Sequence, residues 1–315
     1  MYYKLQHVFF IFLLASLLIA CTNGSGKSTN EEYSQLTIGV MSSMDYLPLA
    51  VAKENEFFKK EGVDVVINKF YSANERDAAF QSGNLDGTII DYTGAAIQRA
   101  GGIEIKIASQ CDGSFVLVAA KEAAINTAAD LKGKRLAVSR NTVIDFCTDW
   151  VLQDAGIKLS EVEKVEINKI PLRLEMLRNS KIDVTVLPDP FITIALDDGN
   201  KAVVDIKDMD LRVTGIAFHD EVIMDKRNTI QGFYRAYNQA VQLLNSQPAS
   251  SFDNLLITEV GFPPNLVSKV ELPKYSKAQL PQSQDLQKVE QWLKHRKLVT
   301  DDFDIKTLIS TDLIP

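Results

Sequence analysis

A set of polar and aromatic residues falls where stretches that read as strands give way to stretches that read as helices. In the first half of the chain these are Ser43, Asp45, Tyr46, Ser72, Asn74, Asp91, Tyr92 and Thr93. In the second half they are Asn141, Thr142, Asp145 and Asp189. Hydroxyls, amides and carboxylates donate and accept hydrogen bonds, and Tyr46 and Tyr92 offer rings that stack on a flat ligand. Such a mixture suits reversible capture of a small polar molecule. Each residue also has a plainer reading: Ser72, Asn74, Thr93 and Thr142 suit helix N-caps, and both tyrosines suit rim or core. The set does not suit catalysis. The histidines are His7, His219 and His295, there is no cysteine cluster, and no HExxH, GxSxG or CxxC occurs. No catalytic residue, metal ligand or cofactor is therefore expected.

The charge of these loops bears on the ligand. Helix N-termini favour anions, yet the loops carry Asp45, Asp91, Asp112, Asp145 and Asp189, with Arg140 as the nearby cation. A buried carboxylate beside an oxyanion is costly unless paired. The expectation is a neutral or cationic nitrogen-containing ligand, such as an aromatic heterocycle, whose N–H groups the carboxylates accept. A sulfonate, taurine or nitrate is the second reading.

The elements that position these residues centre on 79–94, AFQSGNLDGTIIDYTG. A helix closes at Gln81, Gly83 supplies the positive φ of a helix stop, and 85–90 is a short strand for a covered parallel sheet. Asp91 to Gly94 then leaves the strand at its carboxyl end, where ligands sit in open α/β sheets. The plan recurs about a hundred residues on, with 174–181 as the helix end, 182–187 as the strand and Pro188-Asp189-Pro190 as the exit. Asp86 and Asp183 hold equivalent places, as do Gly62 and Gly156, and strand 36–40 matches strand 134–138. The reading is two similar α/β lobes facing across a cleft.

Further strands are expected at 63–70, 103–111, 115–120, 163–168, 201–206 and 211–219. The chain passes to the second lobe near 113 and returns at 211–219. From about Lys226 the pattern turns to amphipathic helices, at 226–248, 252–260, 265–270 and 285–298, whose apolar stripes are core packing on the first lobe. The expected organisation is lobe 1 from 36–112 and 217–315, and lobe 2 from 113–216.

The chain has 315 residues and a net charge of -7, enough for two lobes with ample core and unfavourable for nucleic acid. Residues 1–21 read as a targeting segment: Lys4, then an apolar run from Val8 to Ala20, too short to span a membrane. Its end, Leu18-Ile19-Ala20-Cys21, resembles a bacterial lipobox, which implies cleavage before Cys21 and acylation of its thiol. The plainer reading is a secretory signal or an uncleaved anchor. Residues 22–35 read as a polar tether. Within them Gly26-Lys27-Ser28 imitates the tail of a P-loop, but the glycine that motif needs five places earlier is Cys21. Cys111 and Cys147 read as buried packing residues, with a disulfide left open.

Several segments resemble one family. They are Leu47 to Lys53 leading to Phe57-Phe58-Lys59-Lys60-Glu61-Gly62-Val63-Asp64-Val65, then Gln81-Ser82-Gly83-Asn84-Leu85-Asp86, then Asp130 to Val138, and Asp189-Pro190. Together they are similar to the solute-binding proteins of ABC importers, in the nitrate/sulfonate/taurine and thiamine-pyrimidine-precursor group, over about residues 36–245. The resemblance implies an α/β fold, the two-lobe periplasmic-binding-protein type II clamshell with two hinge strands. It also implies an exported, lipid-anchored monomer that closes on one solute and delivers it to a membrane permease. One branch of the superfamily resembles thiamine-pyrimidine synthases, whose cysteine-rich motif and active-site histidine have no counterpart here.

Overall fold

The computed structural model describes residues 34–209 and 211–315. The signal segment, Cys21 and most of the tether lie outside the described residues. Ser34 and Gln35, expected as the end of the tether, instead begin β1 (Ser34–Met41). They pair in parallel with Val63 and Asp64 of β2 (Val63–Phe70), and the Gln35 amide donates to the Asp64 carboxylate at 2.8 Å. A paired neighbour strand extends order beyond what composition alone indicates.

Between these strands lies α1 (Leu47–Glu54), with Pro48 in its first turn. After β2 come α2 (Ala73–Gln81), β3 (Gly87–Asp91), α3 (Tyr92–Ala100) and β4 (Ile105–Gln110). The chain then crosses to β5 (Phe115–Ala119), β6 (Arg135–Val138), α4 (Val143–Asp154), β7 (Glu163–Glu166), α5 (Ile170–Arg178), β8 (Val184–Pro188), α6 (Phe191–Asp197) and β9 (Lys201–Asp205). It returns to β10 (Thr214–His219) and continues into α7 (Arg227–Ser246) and α8 (Ser283–His295).

Two five-stranded sheets result, ordered β2-β1-β3-β10-β4 and β7-β6-β8-β5-β9. The orders are equivalent. In each, the strand that arrives from the other lobe inserts antiparallel between two strands of its new sheet. Thr214, Gly215 and Ile216, expected in lobe 2, therefore belong to the first sheet. The two crossings run side by side, with Cys111 N–H donating to Thr214 C=O at 2.8 Å, and the return crossing is also held by Tyr92 N–H at the start of α3, which donates to Val213 C=O at 2.9 Å.

The short strands are apolar throughout because both faces are covered. In β5, Val116 and Val118 face a core under α5 and α6. Phe115, Leu117 and Ala119 face a second core that also holds Ile90 and Tyr92 of the first lobe, Phe146 of α4, and Leu286 and Trp292 of α8. A third core joins β1 and α1 to Phe233, Tyr234 and Tyr237 of α7. The tail therefore does more than pack on the first lobe. Trp292 Nε1 donates to Asp149 of α4 at 2.9 Å, and Arg296 reaches Asp149 and Asp145 at 3.2 and 3.3 Å. The helix expected at 252–260 forms as a continuous run, a 3-10 turn Ala249–Phe252, an α-helical turn Asp253–Leu255 and a π-helical turn Leu256–Val260 that Gly261 ends at φ 99°, whereas the one expected at 265–270 is only the 3-10 turn Val267–Lys269. Pro263 and Pro264 keep the chain from continuing as helix.

Cys111 and Cys147 are both buried and free. Gly62 and Gly156 end their helices at φ 74° and 69°, the left-handed conformation that favours glycine at a helix stop.

Candidate functional site

Loops leaving the carboxyl ends of β1, β2, β6, β7 and β8 converge between the sheets. They enclose a cavity of about 50 Å³. From the first lobe Met41, Ser43, Asp45, Ala73 and Thr214 line it. From the second, Phe115, Ser139, Thr142, Asn168, Arg173 and Pro188 face it.

Arg173 is the unusual member. It lies near the start of α5 and is 1% exposed. One Nη donates to the backbone carbonyls of Ile167 and Asn168 at 3.0 and 3.4 Å. Its Nε and its other Nη find no hydrogen-bond partner among the described residues, and no carboxylate lies within ion-pair distance there. Burial alone pushes the guanidinium down to about 10, so it remains a cation at neutral pH. A buried charge without a counter-ion is strongly unfavourable. Arg76 shows the contrast. It is 3% exposed but paired with Asp77 at 2.6 Å and Asp91 at 3.2 Å.

Asp45 faces the same cavity from the other lobe. It accepts a hydrogen bond from the Ser43 hydroxyl, and Gly113 packs so closely that a Cβ there would stand 3.1 Å from an Asp45 carboxylate oxygen. Burial raises its carboxyl above the ordinary value, against hydrogen bonds from Ser43 and Thr214 and the more distant charge of Arg76. Among the described residues no cation lies within ion-pair distance of Asp45.

Most of the other expected site residues sit elsewhere. Thr142 lines the cavity, but its hydroxyl caps α4, accepting from Ile144 N–H at 3.3 Å and donating to Ser139 C=O at 2.8 Å. Ser72 is buried at the start of α2, and Asn74 is exposed. Tyr46 is buried, donates to Glu259 at 2.7 Å and lies under Lys69. Burial, then that carboxylate, raises its phenol. Tyr92 is wholly buried in the shared core. The aromatic side chain that lines the cavity is instead Phe115. Asp91 caps α3, accepting from Gly94 N–H at 2.7 Å and from the Thr93 hydroxyl. Asp145 pairs with Lys164 and Arg296 and accepts the Asn141 N–H at 3.0 Å. Asp189 holds the first turn of α6 through Thr193, at 3.0 and 2.7 Å. Arg140, expected as the nearby cation, is mostly exposed and pairs with Glu166.

Arg173 has a readable signal. Ile170, Arg173, Leu174 and Leu177 follow the spacing of a buried helix face, and an arginine on such a stripe is either paired or serves a ligand.

The NMT1/THI5-like family model matches residues 43–251. A putative ABC transporter periplasmic binding protein of Brachyspira hyodysenteriae is 25% identical over 262 residues, 78% of this chain and 74% of that one. A putative aliphatic sulfonates-binding protein of Escherichia coli is 24% identical over 263 residues, 81% of this chain and 80% of its own. Among solved structures, the alkanesulfonate-binding protein SsuA from Xanthomonas axonopodis pv. citri bound to MOPS superposes with a TM-score of 0.77 at 17% identity. That superposition covers 89% of this chain and 99% of the other. With the family model spanning two thirds of its length, this chain belongs to the NMT1/THI5-like family.

Proposed function

We propose that this protein is the extracytoplasmic solute-binding component of an ABC importer, capturing a small polar molecule between its lobes and presenting it to a membrane permease. The observation that carries the reading is the cavity enclosed by both lobes with a buried, unpaired Arg173 in its wall. Contacts from both sides exist only when the cleft is shut, so ligand shifts the population toward the closed form. The relatives described as importer binding proteins support the same role. An anchor on Cys21 would hold the body at the membrane surface, and the protein would act as a monomer.

The ligand is a nitrogen-containing polar solute, whose N–H groups Asp45 is placed to accept. An oxyanion is the second reading. The acidic loops argue against it, but Asp91, Asp145 and Asp189 are occupied by caps and ion pairs, while Arg173 adds a cation to the wall. Mass spectrometry of small molecules released from natively purified protein tests the role. Identification of a polar solute, with scattering that reports compaction on rebinding, supports it. Identical scattering with every candidate solute and no heat of binding overturns it.

A further inference from the structure

Arg173 and Asp45 are opposite charges on opposite lobes, lining one cavity and yet not paired with each other. Each is at least nine-tenths buried, at 1% and 5% exposure, and each lacks an ion-pair partner among the described residues. Two oppositely charged groups buried in one small enclosure without partners are both satisfied by something between them that neutralises each. An anion would satisfy Arg173 and leave Asp45 facing a like charge. A cation would do the reverse.

We propose that the ligand is a compact zwitterion, with an oxyanion held by the free Nε and Nη of Arg173 and an ammonium held by Asp45. The inference rests on the solute-binding reading above and narrows its substrate class. The guanidinium presents a planar fork that matches two oxygens of a carboxylate, sulfonate or phosphonate. On the other wall the Ser43 hydroxyl already donates to Asp45, which orients the carboxylate and leaves acceptor sites for the ammonium protons. Phe115 lines the same cavity as an apolar wall, suited to a short hydrocarbon spacer. The ligand itself thus becomes the ionic bridge between lobes, and closure follows from satisfying both charges at once.

The test is calorimetry on the mature protein with β-alanine, γ-aminobutyrate, taurine and 2-aminoethylphosphonate as zwitterions. Ethanesulfonate and propionate serve as anions, and ethylamine as the cation. At least one zwitterion should bind, with its singly charged analogues weaker by roughly 30-fold or more, since each leaves one buried charge unpaired. Asp45→Asn should remove that discrimination, so that the anion binds at least as well as the zwitterion. Arg173→Gln should lose the zwitterion while circular dichroism and thermal melting show a folded protein. Equal affinity of the wild type for an anion and its zwitterionic counterpart would overturn the proposal and leave the importer role standing. The proposal fails in the same way if the natively bound solute carries only one charge or none. Scattering unchanged by every solute, with nothing released from native protein, would sink the importer role itself.

Discussion

Asp86 and Asp183 make the same bond in the two lobes. The Asp86 carboxylate accepts the Thr37 N–H at 2.7 Å, and the Asp183 carboxylate accepts the Arg135 N–H at 2.7 Å. Two residues further on, Thr88 donates to Gly39 C=O at 3.0 Å and Thr185 to Ala137 C=O at 2.9 Å. The duplication thus extends to single hydrogen bonds, and each aspartate ties the entry of one parallel strand to its neighbour. Truncating either to alanine should destabilise the protein by about 1–3 kcal/mol, because a part-buried N–H loses its acceptor. Urea denaturation of the two variants checks this.

Asp183 also predicts a pH effect. The Arg135 guanidinium, followed by the Arg135 N–H, holds its carboxyl below the ordinary value. The stabilisation is present above the unfolded-state pKa, and it is lost as pH falls through the lowered folded value. Asp183→Asn should therefore flatten the acid limb of the stability profile, at and below about pH 4, relative to wild type.

Arg173→Met separates stability from function. Burial pushes its guanidinium down to about 10, which corresponds to a folding cost on the order of 3 kcal/mol. Its two backbone hydrogen bonds return about 1 kcal/mol each. The methionine variant should melt about 1 kcal/mol more stable without ligand, and should no longer gain thermal stability from any solute. A melt that drops well below wild type would show that the arginine is structural.

Asp45 carries the opposite sign from Asp183. Burial raises its carboxyl, so the folded protein binds that proton more tightly than the unfolded chain. Stability without ligand then declines as pH rises from about 4 through the raised value. Arg76 opposes the shift, while Cys111 and Tyr275, the other titratable groups that sense Asp45, are held neutral by burial. Asp45→Asn should remove that decline, and melts between pH 4 and 7 measure it.

Across the cleft mouth, Ile170 N–H donates to Tyr71 C=O at 3.1 Å, and Lys169 meets Glu75 at 3.0 Å. Both charged side chains are at least half exposed, so the pair is worth little. Glu75→Ala should raise the ligand dissociation rate by less than about fivefold, read by stopped-flow fluorescence. A far larger change would make this pair a principal latch.

The fold is legible in the sequence because it is written twice. Gly62 and Gly156, Asp86 and Asp183, and two sets of short apolar strands repeat in the same order at similar spacings, and a covered parallel sheet leaves such strands no polar face. The site is less legible. Asp91, Asp145 and Asp189 stand at strand exits, as ligand-binding residues do, but so do caps and ion-pair members, and only three-dimensional partners tell them apart. Lys164 and Arg296, which neutralise Asp145, are distant in sequence. Arg173 hides among leucines on a helix whose apolar stripe reads as core. Tyr46 and Tyr92 have the rings for stacking, and the fold turns both inward.

The core that joins Ile90 and Tyr92 of one lobe to Leu117 and Phe146 of the other, under Leu286 and Trp292 of the tail, makes the halves chemically inseparable. A second half excised and expressed alone would present that greasy seam to water and should precipitate, recovering only when co-expressed with the remainder. Apart from that seam the halves also meet where Ile170 N–H reaches Tyr71 C=O and Lys169 pairs with Glu75, and these slight contacts are ones that parting the halves would break.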